Sequence, residues 1–249
     1  MKLAVAGKGG VGKTTVCAGL TLLLAEAGKV MAVDADPNNC LGFALGIPPD
    51  RLVDIKPVSE MKELLAARAG SSGGGMFDLA PEVADLIEEF KISDGNIDLL
   101  VMGTIDRGGA GCACSLNSTL KQLLRELVAL PGSLLVDMEA GLEHLGRGTA
   151  AAVNAFLVVV DPTPPALRAA LRIVKLAGEL GITNVFAVGN RASTEGEKTL
   201  IREALGDMPV IGFVGDHRGL AQEGVFAGDA GQALRADLAA VLENLRTRA

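Results

Sequence analysis

The sequence lacks tryptophan and tyrosine altogether, and its only aromatic residues besides histidine are seven phenylalanines. Proteins that bind single-stranded nucleic acid stack bases on aromatic side chains, so this chain offers few platforms for such contacts. An excess of positive charge is also missing, since 23 Lys and Arg stand against 30 Asp and Glu, a formal net charge of -7. We therefore expect no general nucleic-acid surface, although a local basic patch is compatible with these numbers.

Cysteine and long hydrophobic runs are scarce as well. Four cysteines in 249 residues do not make a disulfide framework, which favours a reducing, cytoplasmic location. No run of about 18 uncharged apolar residues is present, so the sequence predicts neither a transmembrane helix nor a membrane partner. The apolar start, "MKLAVA", breaks into glycines and is too short for a secretory signal.

Short apolar runs alternate with segments of helical periodicity along most of the chain. The predicted strands are almost continuously apolar, as expected when helices cover both faces of a sheet, and they span residues 2–6, 30–34, 97–103, 133–138, 155–161, 184–190 and 209–214. The predicted helices span residues 14–27, 116–129, 146–153, 164–180, 195–205 and 229–246. This alternation predicts an α/β fold, a doubly wound, mostly parallel sheet with helices on both faces. We expect one domain over residues 1–249, with an elaborated insertion at about 47–96 in which "GSSGGG" (70–75) suggests a mobile turn.

The stretch from Gly7 to Thr14, "GKGGVGKT", fits the phosphate-loop pattern G-x-x-x-x-G-K-[ST] between a predicted strand and a predicted helix. Glycines allow backbone N–H groups to wrap a phosphate, and the N-terminus of the next helix adds partial positive charge. Lys13 is expected to reach the β and γ phosphates of ATP, and the Thr14 hydroxyl to bind Mg²⁺. The predicted nucleotide-binding residues of the loop are Gly9, Gly10, Val11, Gly12, Lys13, Thr14 and Thr15.

Lys8 is a second lysine near the start of this loop. The pattern resembles the deviant phosphate loop of the ParA, MinD and nitrogenase iron protein group of ATPases. The resemblance implies a homodimer in which the early lysine crosses the interface to the partner's nucleotide. The alternative, drawn from the residues alone, is a solvated loop charge.

Two acidic segments follow predicted strands, "VDADPNNC" (33–40) and "SLLVDMEAGLEH" (133–144). Asp36 resembles the first-switch aspartate of the same group, which positions the attacking water, and Asp34 could share or exchange that role. Asp137 ends an apolar strand, as an aspartate that holds Mg²⁺ through water should, although a strand-end cap is the alternative. Gly141 completes a D-x-x-A-G segment that resembles the second switch, and Glu139 stands where the group often has proline. The expected catalytic residues are thus Lys8, Lys13, Asp36 and Asp137.

Asn190 ends another predicted strand, in "AVGNR" (187–191). Asparagine can pair bidentately with an adenine edge, and the position resembles the adenine-reading asparagine of the group. An ordinary turn asparagine is the alternative.

Cys112 and Cys114 lie one residue apart in the glycine-rich stretch "GGAGCACSLNS" (108–118). Two thiolates are too few for a four-ligand site, and their spacing suits a disulfide poorly. A homodimer would double them, because a two-fold axis turns two ligands into four, and four thiolates suit Zn²⁺ or Ni²⁺. Two buried core thiols are the alternative, although a glycine-rich loop is a poor place for core packing.

The segments "KGGVGKTT", "VDADP", "MGTIDRGGAGCACSLNS" and "DMEAGLEHLGRGTA" together resemble the CooC-type accessory ATPases that mature nickel enzymes, chiefly carbon monoxide dehydrogenase. In that family a C-x-C pair binds nickel or zinc at the dimer interface, and Cys112 and Cys114 match it. The resemblance implies ATP and Mg²⁺, Ni²⁺ or Zn²⁺, a homodimer promoted by ATP and metal, and a client such as carbon monoxide dehydrogenase or acetyl-CoA synthase. We interpret Cys17 and Cys40 as packing residues, leaving a ligand role open for Cys40, and His144 as a helix-surface residue.

Two other classes share parts of this pattern. A ParA/MinD-type positioning ATPase would have the same phosphate loop and switches, but it needs a basic DNA face or a basic amphipathic tail and has no need of C-x-C. The C-terminal segment argues against such a tail, because Asp237 and Glu243 interrupt any cationic face and its leucines predict a helix docked on the sheet. An iron–sulfur carrier ATPase typically uses differently spaced cysteines.

Overall fold

The computed structural model describes residues 1–69, 83–103, 113–139, 153–217, 219–220 and 224–248, with the backbone alone at residues 66, 69 and 113–118. Its strands are β1 (Lys2–Gly7), β2 (Val30–Ala35), β3 (Ile92–Asp94), β4 (Ile97–Val101), β5 (Ser133–Met138), β6 (Ala155–Val160), β7 (Val185–Gly189) and β8 (Val210–Phe213). Its helices are α1 (Lys13–Ala25), α2 (Leu41–Leu45), α3 (Lys62–Ala69), α4 (Ala84–Phe90), α5 (Ala113–Ala129), α6 (Pro164–Glu179), α7 (Glu195–Leu205) and α8 (Gly228–Arg246).

The strands of the described residues form one sheet in the order β3-β4-β2-β5-β1-β6-β7-β8. Every neighbouring pair is parallel except β3 and β4, which are antiparallel at the edge. The crossovers from β1 to β2 and from β6 to β7 run in opposite directions along this order. Because such connections are right-handed, α1 and α6 cover opposite faces. The predicted doubly wound, mostly parallel sheet is therefore confirmed.

The core follows from strands that are apolar at almost every position. β2 and β6 are buried along their whole length, as expected for strands between two layers of helices. On one face α1 packs against β5, β1 and β2 and also against α8, and on the other α6 packs against β6 and β1. The predicted docking of the C-terminal helix is confirmed, because α8 contacts β8 and buries Leu234, Leu238, Leu242 and Leu245.

Several boundaries differ from the predicted ones. The strand β3 and the helices α2 and α4 were not predicted, because with three, five and seven residues they are shorter than a recognisable strand or helix pattern. α5 begins at Ala113, three residues before its predicted start. The predicted helix at 146–153 and the "GSSGGG" turn lie outside the described residues, apart from Val153. No helix in the described part of the chain is long and apolar enough to cross a membrane.

Candidate nucleotide site

The carboxyl ends of the central strands meet at one edge of the sheet, which is where ligands bind in doubly wound folds. The phosphate loop joins β1 to α1 at this edge, and Gly10 and Gly12 have φ angles of 83° and 92°. A Cβ at position 12 would lie 2.3 Å from the Asn190 Nδ2 atom. Glycine is therefore required at position 12 both by its left-handed backbone and by the close approach of Asn190.

Lys13 and Asp36 form a nearly buried ion pair beside the loop. The Lys13 Nζ and Asp36 Oδ2 atoms are 3.6 Å apart, and the lysine is 6% exposed. The other carboxylate oxygen of Asp36 accepts hydrogen bonds from the Asn38 backbone N–H and side-chain amide at 3.0 and 2.9 Å. The structure thus brings together the two residues that the sequence assigns to the γ phosphate and its attacking water.

Asp34 is completely buried and faces the backbone of the same acidic segment. Its carboxylate accepts hydrogen bonds from the Leu41 N–H at 2.9 Å and the Asp36 N–H at 3.2 Å. Burial raises the pKa of Asp34 from 3.8 to about 6, against the opposing effect of these two hydrogen bonds. Both carboxylate oxygens of Asp34 are thus bonded to backbone groups, and the carboxylate next to Lys13 is that of Asp36.

Asp137, at the carboxyl end of β5, faces the start of α1. Its Oδ2 atom accepts a hydrogen bond of 2.6 Å from the Thr14 hydroxyl, and its Oδ1 atom is buried without a partner among the described residues. Burial raises the pKa of Asp137 from 3.8 to about 7. A buried carboxylate oxygen without a partner is costly unless a cation or a donor reaches it. The threonine hydroxyl and this carboxylate are oxygen donors of the kind that Mg²⁺ takes, so the residues present fit a magnesium ion.

Asn190 follows β7 and is nearly buried against the loop. Its Nδ2 atom donates a hydrogen bond of 2.7 Å to the Val11 carbonyl, and it borders a cavity of about 190 Å³ that is also lined by Thr15, Gly215 and His217. The cavity lies beside the phosphate loop, since Gly12 also lines it. The base-reading role of Asn190 stays a prediction, and its contact with Val11 shows that it also holds the loop.

Lys8 is exposed at the tip of the loop. Within the described residues, the Lys8 side chain makes one hydrogen bond, from Nζ to the Gly9 carbonyl at 3.4 Å. A Cβ at Gly9 would have no neighbour within 4 Å. The side of the loop that carries Lys8 and Gly9 is therefore open.

The predicted metal residues are covered only in part. Cys112, Gly141 and His144 lie outside the described residues, and Cys114 is described by its backbone alone, as the second residue of α5. Within the described residues, no group of three or more His, Cys, Asp or Glu side chains could hold a metal ion. The site of Cys112 and Cys114 therefore stays a prediction.

The other two cysteines differ from each other. Cys17 is buried in α1, and burial raises the pKa of its thiol well above 9.0. The packing interpretation of Cys40 is wrong, because this residue precedes α2 at the surface and its side chain is exposed. Residue type favours burial for cysteine, but the preceding segment turns the chain outward at this point. Glu139 is also exposed, directly after β5.

Sequence reasoning missed three residues of this edge. Arg191 donates a hydrogen bond of 2.9 Å to the Gly10 carbonyl. The Asp237 carboxylate accepts a hydrogen bond from the Gly215 N–H at 2.9 Å and lies 2.7 Å from the His217 Nε2 atom. Arg191 directly follows Asn190 and could have been found from that position, whereas nothing local relates Asp237 in α8 to a loop twenty residues earlier.

Comparison with known proteins gives a family and close relatives. A sequence model of the CobQ/CobB/MinD/ParA nucleotide binding domain family matches residues 2–224. An uncharacterised ATP-binding protein of Methanocaldococcus jannaschii is 41% identical over 222 residues, which cover 86% of this chain and 84% of that protein. The carbon monoxide dehydrogenase accessory protein CooC of Rhodospirillum rubrum is 38% identical over 218 residues, which cover 86% of this chain and 83% of that protein.

Solved structures agree on the architecture. A ParA family ATPase from Chlorobium tepidum has a TM-score of 0.70 at 17% identity and covers 98% of this chain and 97% of its own. The cell division ATPase MinD of Pyrococcus furiosus has a TM-score of 0.65 at 17% identity, with 100% and 99% covered. At these identities the likeness shows the fold alone.

Proposed function

Because the chain belongs to the CobQ/CobB/MinD/ParA family of nucleotide-binding domains, in the group of the accessory protein CooC, we propose that it is an ATP-hydrolysing metallochaperone. Its cargo is nickel, and its client is carbon monoxide dehydrogenase or a related nickel enzyme such as acetyl-CoA synthase. The relative named as a carbon monoxide dehydrogenase accessory protein supports this assignment at 38% identity.

The observation that carries the ATPase part is the grouping of Lys13, Asp36, Thr14 and Asp137 at one edge of the sheet. Lys13 binds the β and γ phosphates of ATP, and Asp36, held beside it, orients the attacking water and accepts its proton late in the reaction. Thr14 and Asp137 would hold Mg²⁺. When bound there, the ion supplies positive charge that offsets the charge of the phosphate oxygens.

Lys8 supplies the second part of the proposed reaction from the other subunit. Its side chain stands on the open side of the loop, so it is free to approach the nucleotide of a partner. We call the carboxyl ends of the central strands, with the phosphate loop, Asp36 and Asp137, the nucleotide edge. A homodimer assembled in this way brings two copies of the nucleotide edge face to face. ATP binding then alters the geometry of the interface.

The cargo part rests on Cys112 and Cys114, completed across the two-fold axis to four thiolates. One feature of the described residues links this part to the nucleotide edge. The Met102 and Gly103 N–H groups donate hydrogen bonds of 2.8 and 3.2 Å to the Asp34 carbonyl, and Gly103 is the last described residue before the segment that contains Cys112. Asp34 thus orders the acidic segment 33–40 through its carboxylate and, through its carbonyl, holds the chain that leads to the C-x-C pair.

The test is the combined Cys112→Ala and Cys114→Ala variant, with Cys40→Ala as the matched control because that thiol is exposed and lies outside the pair. We expect the double variant to lose bound nickel or zinc, measured by elemental mass spectrometry, while it still binds a fluorescent ATP analogue. In cells it should leave the client enzyme present but nickel-deficient, with activity partly restored by excess nickel.

Normal metal content or normal client maturation in the double variant would contradict the cargo role. A positioning ATPase, which needs no thiolate pair, would then be the better description. Loss of metal from the Cys40→Ala control as well would contradict the assignment of the site to Cys112 and Cys114 alone.

A further inference from the structure

Arg191 has an unusual backbone conformation at the end of β7. Its φ angle is 54°, and it is one of two non-glycine residues in the described part of the chain with a positive φ. The residues on either side are held in place, since the Asn190 N–H donates to the Val160 carbonyl at 2.7 Å and the Ala192 N–H donates to the Val214 carbonyl at 3.1 Å. Strain of this kind persists only where the surroundings enforce it, and it collects at functional sites.

The left-handed turn changes where two successive side chains go. In a strand, neighbouring side chains point to opposite faces of the sheet. Here Asn190 donates to the Val11 carbonyl at 2.7 Å and Arg191 donates from Nη1 to the Gly10 carbonyl at 2.9 Å. The strained residue therefore brings both side chains onto adjacent peptide groups of the phosphate loop.

The Gly10 carbonyl belongs to the turn that carries Lys8. In a trans peptide the C=O of one residue and the N–H of the next point in opposite directions. Holding the Gly10 carbonyl toward Arg191 therefore directs the Val11 N–H to the other side, where it donates to the Lys8 carbonyl at 3.3 Å and closes the turn. Besides the Arg191 contact, the long Val11–Lys8 bond and the Asn190 contact with the Val11 carbonyl hold this turn.

We propose that Arg191 is a positioning residue that holds the Lys8–Val11 turn and so presents Lys8 to the partner subunit. This inference rests on the proposed cross-subunit role of Lys8 and is independent of the metal cargo. The guanidinium is suited to the task because it is always charged and donates in a rigid plane. Arg191 acts through the backbone of the turn, while Lys13 and Asp36 perform their own roles unchanged.

The experiment compares ATP hydrolysis by Lys8→Ala, Arg191→Ala, Arg191→Gly and Arg191→Lys, and by the Lys8→Ala, Arg191→Ala double variant. Arg191→Gly removes the guanidinium and keeps the left-handed backbone without strain, so it separates the side-chain contact from the conformation. Arg172→Ala, an exposed arginine of α6 away from the loop, is the control. Each protein is also assayed for thermal stability and for binding of a fluorescent ATP analogue below the concentration at which it dimerises.

We expect both Arg191→Ala and Arg191→Gly to lower kcat about tenfold, the effect of losing one hydrogen bond from a charged group. ATP binding by the monomer should change less than kcat, and Arg191→Lys should recover part of the loss. In the Lys8→Ala background, Arg191→Ala should change kcat by less than about twofold, because residues that act through one another are not additive.

Wild-type kcat in Arg191→Gly would overturn the inference, and so would an undiminished effect of Arg191→Ala in the Lys8→Ala background. A merely structural role would lower the thermal stability and the ATP affinity of the monomer together and would show no coupling to Lys8. The proposed cross-subunit role of Lys8 is tested separately, by Lys8→Ala alone. Wild-type hydrolysis by that variant would contradict this role whatever the Arg191 variants show.

Discussion

Asp137 is buried at the nucleotide edge with one oxygen bonded to Thr14 and the other without a partner among the described residues. In the absence of a cation, such a carboxylate is better neutral than charged, which is why burial raises its pKa to about 7. The same feature makes it a receptive ligand once a cation arrives. At high pH the charged Asp137 therefore destabilises the folded protein when no cation is bound, but the same carboxylate can bind a cation that enters the site.

This leads to a prediction for the protein without nucleotide or magnesium. Since the folded-state pKa of Asp137 is raised from 3.8 to about 7, its favourable contribution to stability is complete below pH 3.8 and is lost as the pH rises through about 7. Asp137→Asn, which keeps an acceptor for Thr14, should be more stable than wild type at pH 8, where the buried carboxylate of the wild type is charged. The gain should shrink toward pH 4.

Urea unfolding in EDTA at pH 4, 6 and 8 measures this difference, with the exposed Asp207→Asn as the control for loss of a surface charge. An Asp137→Asn protein that is less stable than wild type at pH 8 without ligands would show that the carboxylate is charged and satisfied in the empty site. Saturating Mg²⁺ and ATP should reverse the order of the two proteins, because only aspartate binds the ion as an anion.

Helix α8 belongs to the nucleotide edge although it lies far along the chain from the phosphate loop. Its Asp237 accepts a hydrogen bond from the Gly215 N–H and contacts the His217 ring, and both of these residues line the cavity next to Asn190. The cavity wall is thus shaped by an element that the sequence identifies only as a docked helix.

We expect Asp237→Ala to raise the KM for ATP about three- to tenfold, from the loss of one or two hydrogen bonds that hold the wall, with little change in kcat. Steady-state hydrolysis over a range of ATP concentrations provides the measurement. Glu243→Ala is the control, because Glu243 is exposed on the same helix and its ion pair with Arg246 is long, at 4.0 Å. An unchanged KM with a lowered melting temperature would assign Asp237 to the stability of α8 alone.

The elements differ in how far they could be predicted. β5 was predictable because its apolar residues lead directly to Asp137. The strand, loop and helix around Lys13 were predictable from the spacing of the glycines. β3 has three residues, and α2 five, so neither repeats a pattern often enough to be recognised. The contacts of Asn190 and Arg191 with the loop join residues about 180 positions apart, and no local pattern encodes such a distance.

At the scale of the whole molecule, the prediction concerns assembly. If two chains share one thiolate site and exchange Lys8, both metal and ATP bind the dimer better than the monomer and must favour it by linkage. A metal concentration of about 100 times the dissociation constant should shift the equilibrium about 100-fold toward the dimer. Light scattering with nickel and a non-hydrolysable ATP analogue measures this shift, and elemental analysis should give one metal ion per two chains. A monomer that holds one ion of its own would contradict the shared site.

The bonding of Asp34 also bears on how such a protein can diversify. The chain that leaves β4 is tied to the nucleotide edge through backbone groups, because the Met102 and Gly103 N–H groups meet the Asp34 carbonyl. Backbone contacts make no demand on the identity of the side chains that follow. The segment after Gly103 can therefore change in sequence during evolution while the acidic segment 33–40 and the phosphate loop keep their geometry.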